Sequence, residues 1–130
     1  MVSAVKTEPG RLSDWLLFES DEIGRYSRDV VTVATNQTLK SGAVVGLNAA
    51  GEVMEYDNET ATSAGGAVAV GIIGEDVTTT SATKKSFMVA RHARVAPSGL
   101  VWKTGLLTAD KDAAWVDLKA VGIIPVPAEF

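Results

Sequence analysis

From Asp29 onward, apolar and polar residues alternate in short runs broken by turn residues at close spacing, and few stretches hold a helical period. This predicts a mainly β domain. Val31, Val33 and Leu39 flank an Asn36-Gln37 turn, Ala43 to Leu47 forms a second apolar run, and Val53 to Tyr56 returns after a loop containing Asn48 and Gly51. The Leu47 to Glu52 step predicts a hairpin in which Gly51 supplies a positive φ. Ala67 to Ile73 is almost continuously apolar. It predicts a strand buried on both faces, with Gly71 marking a bulge or a close backbone approach. Phe87, Val89, Arg91 and Ala93 alternate with Met88, Ala90 and His92 and predict one further strand.

A single segment has helical polarity. Asp110 and Asp112 open it and Lys119 closes it, matching the helix dipole, with Gly122 just beyond. Ala114, Leu118 and Val121 would form its packed stripe. Ile123-Ile124 then reads as a last strand, which Pro125 and Pro127 keep out of the centre of a sheet. The polar stretches 57–66 and 78–85 read as exposed loops.

One apolar cluster breaks the pattern. Trp15-Leu16-Leu17-Phe18 lies between Pro9-Gly10 and the polar stretch containing Glu19, Asp21, Glu22 and Gly24. It either folds back as a strand of its own domain or docks on a neighbouring subunit or partner. The residues leave both readings open. Burying these side chains is worth roughly 1.5 to 3 kcal/mol each before ordering costs. The organisation expected is an N-terminal arm over residues 1–26 that docks on a neighbour or partner, and a single β-rich domain over 27–130.

Composition narrows the function classes. The 130 residues suffice for one core, and 46% hydrophobic with 22% charged residues excludes wholesale disorder. A net charge of -4, with basic residues scattered except at Lys84-Lys85, gives no electrostatic footprint for nucleic acid. Cysteine is absent, which removes disulfides, thiolate metal sites and thiol catalysis. No apolar run approaches the roughly 18 residues of a membrane span, and no signal-peptide pattern opens the chain, so synthesis in the cytoplasm is expected.

The chemistry-bearing residues are few. His92 is the only histidine, and no nucleophile motif accompanies Ser86 or Ser98, so a Ser-His-Asp set has little support. Gly65 to Gly71 lacks dinucleotide spacing and the P-loop lysine, and precedes a strand rather than a helix. Asp57-Asn58-Glu59 and Asp110-Lys111-Asp112 lack the ligand alternation of a calcium loop. No catalytic residue, metal or cofactor is expected. Trp102 and Trp115 read as core or subunit-contact residues.

A family resemblance rests on an ordered set of segments. Gly10-Arg11, the block Trp15 to Ser20, Gly24, Ser27-Arg28-Asp29 with Val31-Thr32-Val33, Leu39 to Gly46, Ala69 to Ile73 with Glu75-Asp76-Val77, Val89-Ala90-Arg91 with Ala93 and Val95, and Leu118 to Ile124 together resemble the lambda-like bacteriophage head decoration proteins. The Pro125-Val126-Pro127 tail and Trp15 depart from the pattern. The resemblance implies a mainly β (α+β) fold, a small β-tulip or barrel-like domain with one short C-terminal helix and an extended N-terminal arm. It implies a non-enzymatic virion protein, a homotrimer on the outside of the expanded head that binds the major capsid protein and cements the shell against DNA pressure. No contact with nucleic acid or membrane is expected. Capsid contacts are expected from Trp15, Leu16, Leu17, Phe18, Ser27 and Arg28. The alternatives are a small-ligand or glycan-binding β module, disfavoured by 6% aromatic residues, and an enzyme built on His92.

Overall fold

The computed structural model describes residues 12–19, 27–57 and 68–126. Its strands are β1 (Leu16–Glu19), β2 (Arg28–Val33), β3 (Thr38–Leu39), β4 (Val44–Leu47), β5 (Val53–Glu55), β6 (Gly71–Ile73), β7 (Val77–Thr78), β8 (Lys84–Val89), β9 (Ala93–Val95) and β10 (Ile123–Pro125). One helix, α1 (Thr108–Ala120), precedes β10. Strands β2-β5-β4-β6-β8 close a barrel, β3 pairs with β7, and β1-β9-β10 form a separate sheet. The domain is mainly β with one C-terminal helix.

The period of two along the barrel strands explains how one wall serves two cores. Val45, Ile73 and Met88 point to a cluster with Val33, Leu39, Val53 and Val77, which fills the barrel. Their neighbours Val44, Ile72 and Val89 lie side by side across β4, β6 and β8. These three join a second cluster with Trp15, Tyr56, Ala93, Val95, Ala114, Leu118 and Ile123. The second core therefore lies between the barrel's outer wall, the β1-β9-β10 sheet and α1. Double burial of Gly71, Ile72 and Ile73 follows from these two layers, whereas Val68, expected in the same buried run, is exposed. The strand itself is only Gly71–Ile73, shorter than the pattern predicted, and residues 58–67 lie outside the described residues. A Cβ on Gly71 would sit 2.7 Å from the Val89 carbonyl oxygen, which is the close approach expected there.

Turn chemistry sets the β4–β5 hairpin. The Asn48 side-chain oxygen accepts from the Ala50 and Glu52 amides, and Gly51 takes φ +82. Helix α1 begins two residues earlier than Asp110 and buries Ala114 and Leu118, while Val121 falls beyond its end and stays partly exposed. Trp102 and Trp115 meet edge to face at 6.2 Å beside the second core.

The single strand predicted through Phe87 to Ala93 is two strands of different sheets. Arg91-His92 forms the corner, and His92 adopts φ +51. Alternation runs unbroken through this corner because β8 and β9 both turn side chains into the second core. His92 therefore sits at a corner between two strands rather than inside the one strand expected.

Candidate functional site

Trp15 sets the direction of everything after it. Its ring is fully buried, and its indole N–H donates to Ser41 Oγ at 3.0 Å. The Ser41 hydroxyl passes the chain on to the Gly74 carbonyl at 2.9 Å, and the Ser41 amide donates to Asp76 Oδ1 at 2.8 Å. A buried indole needs such a partner, and this one is supplied from 26 positions along the chain. The backbone around Trp15 is pressed against two glycines. A Cβ at Gly99 would fall 2.1 Å from the Asp14 carbonyl oxygen, and one at Gly42 would meet the indole at 3.0 Å. The Ala96 amide donates to the Trp15 carbonyl at 2.7 Å, which starts the pairing of β1 with β9.

The residues after Trp15 then divide between the two faces. Leu16 opposes Val95 and packs on the second core. A bulge at Leu17 resets the register, so that Phe18 opposes Arg94 and Glu19 opposes Ala93. Leu17 and Phe18 are 54% and 59% exposed. Arg94 also opposes Ile124 of β10, through a parallel pairing. Phe18, Arg94 and Ile124 therefore stand in one row across the outer face of the three-stranded sheet, and Ile124 is 38% exposed.

Glu19 ends β1 in a clamp. Ser27 Oγ donates to its carboxylate at 2.6 Å, and Arg28 forks onto it through Nη2 at 2.6 Å and Nε at 3.0 Å. The Arg28 guanidinium lies 5.1 Å from the Phe87 ring centre. Its hydrogen bond to Glu19 holds the Arg28 pKa above the ordinary arginine value, with burial opposing.

The six residues expected to meet a partner thus separate. Trp15 is a core residue, because its ring completes the second core and its N–H is satisfied internally. Ser27 is fully buried, and Arg28 is committed to Glu19; both tie β2 to β1. Leu16 is half-buried. Leu17 and Phe18 alone among the six present substantial apolar surface. The segment expected as an arm also contributes β1 and Trp15 to the domain, while residues 1–11 and 20–26 lie outside the described residues. Sequence reasoning missed Arg94 and Ile124. The signal was there in Ala93-Arg94-Val95, a cation between two residues whose alternation turns them inward.

Elsewhere the polar groups pair with one another. Lys103 and Asp57 meet at 2.6 Å beside an open cleft of about 330 Å³ lined also by Thr104, Gly105, Leu106, Leu107 and Asp110. Tyr56, buried beside it, donates to the Asp110 carbonyl at 2.9 Å, and its phenol is pushed up to about 12 by burial and then by Asp117, Asp110 and Asp57. Burial also raises the nearby Glu55 carboxyl, with Lys103 opposing. The Ser86 hydroxyl donates to Glu75 at 2.7 Å. Among the described residues, no cluster of three or more His, Cys, Asp or Glu is placed to hold a metal ion, and no helix is long and apolar enough to cross a membrane.

Residues 5–123 match the family model for Bacteriophage lambda head decoration protein D. No curated protein matches the chain.

Proposed function

We infer the function from one premise: the chain belongs to the bacteriophage lambda head decoration protein D family. It is a structural protein of the phage head, associated with the virion capsid. Our finer reading is that it assembles as a homotrimer on the outside of the expanded head, contacts the major capsid protein, and is made in the host cytoplasm before assembly. Binding to the expanded shell alone would stabilise that state by mass action against internal DNA pressure. No reaction is required of it.

The observation that carries this reading is the family match over nearly the whole chain, residues 5–123. The acidic balance of -4 supports a position outside the DNA-filled interior. Leu17 and Phe18 support a docking surface on β1, an edge strand whose second edge has no partner among the described residues. Such an edge can accept a strand from a partner while the flanking side chains fill its pockets. Residues 1–11 would act with it as the docking arm.

The test is cosedimentation of the purified protein with decoration-free heads, expanded and unexpanded, beside light scattering of the free protein. Selective binding to expanded heads in multiples of three copies is expected. Equal binding to both forms, or isolated monomers on the shell, would overturn the reading.

A further inference from the structure

We propose that Arg94 is the specificity-determining residue of the outer β1-β9-β10 face, and that this face receives an apolar segment of the capsid protein carrying a carboxylate. This deepens the capsid-binding reading and rests on it.

Position is the first ground. Arg94 occupies the middle strand, with Phe18 and Ile124 at the directly paired positions on either side, so the cation is flanked by apolar groups across the whole width of the sheet. Directly paired side chains lie ~4.5–5.5 Å apart at Cβ, within reach of one partner residue seated between them. Leu17, at the bulge, extends the apolar surface along β1.

The second ground is charge. Arg28 is committed to Glu19 and Arg91 to Asp29, the latter at 2.6 Å. The Arg94 side chain is exposed and makes no ion pair or hydrogen bond with another described residue. In water this costs nothing. Once a partner covers Phe18 and Ile124, the guanidinium between them loses its hydration, and an uncompensated buried charge is strongly unfavourable. A partner that fits must therefore bring an anion to that point. A carboxylate satisfies the planar fork through two parallel hydrogen bonds. A nucleic-acid phosphate fits poorly, since one cation among apolar groups on a chain of charge -4 offers no track for a polyanion. Arginine is also among the residue types enriched at interface hot spots.

The test is a set of binding isotherms on decoration-free expanded heads of the phage that carries this chain. Arg94→Glu should weaken binding about 100-fold, and Arg94→Lys about 10-fold, because an ammonium cannot fork. Arg94→Leu should bind weakly and lose most of the salt dependence of the parent. Melting curves of all three free proteins should match the parent, since the side chain is exposed. Parent-like binding by Arg94→Glu overturns the proposal while leaving the capsid reading intact. A changed solution mass for Arg94→Glu overturns it in favour of contact between copies of this chain. A parent that does not bind heads removes both readings together.

Discussion

Two apolar runs in this chain look alike and behave differently. Gly71-Ile72-Ile73 is buried throughout because packed layers lie on both sides of the barrel wall, whereas Trp15 to Phe18 begins in the core and ends in solvent. The difference is one of layers, not hydrophobicity. A strand between two cores has no outward face, and a strand of the outermost sheet has one. Apolar residues on that outward face add little to the stability of the free protein, which leaves them available for the docking proposed above.

The strongest way to break this comparison is Trp15→Ala. The inward assignment predicts a loss of about 3–5 kcal/mol in a denaturant melt, from the cavity and the stranded Ser41 network. A loss near zero would return Trp15 to the docking surface.

Tyr56 probes the depth of the second core by pH. Its folded pKa is about 12 against an ordinary tyrosine value of 10.0, so the neutral phenol is the form the fold prefers. Above pH 10 the unfolded chain loses this proton while the folded chain keeps it. Stability should therefore be full below pH 10 and fall by roughly 2–3 kcal/mol between pH 10 and about 12. Tyr56→Phe should remove that part of the alkaline slope, measured by melts across the range.

Glu19→Gln sharpens the boundary between inner and outer faces. It removes the charge that Arg28 and Ser27 share, and a loss of about 1–2 kcal/mol is expected, moderated by the partial exposure of Arg28. Equal stability of parent and variant would mean that the clamp does not hold β1.

The smallest effect on stability should come from Phe18→Ala, at most about 0.5 kcal/mol. The same variant should weaken binding to expanded heads by about 2 kcal/mol or more. Loss of stability without loss of binding would reverse the assignment.

Much of the fold was legible because it depends on local chemistry. The Asn48–Gly51 loop and the dipole-matched ends of α1 each follow from residues within a few positions of one another, while Gly71 stood out as a glycine inside an apolar run even though the carbonyl it approaches belongs to Val89. The site was legible only in part. Which members of the 15–18 run turn inward depends on a bulge at Leu17 and on Ser41, 26 positions away, and neither leaves a mark on the local pattern. The corner at His92 was hidden for a similar reason, since alternation continues on both sides of a residue whose φ alone changes the sheet. Arg94 escaped notice because the role proposed for it comes from its cross-strand neighbours.

The β1-β9-β10 sheet also has a temporal consequence. Its strands come from residues 16–19, 93–95 and 123–125, so the outer face is assembled only when two segments, one well before and one well after β9 in sequence, have both reached it. Contacts of such sequence separation form slowly and late relative to local hairpins. A chain made only as far as β9 lacks β10 and cannot present the complete row. Attachment through this face would thereby select finished molecules, leaving half-folded copies behind.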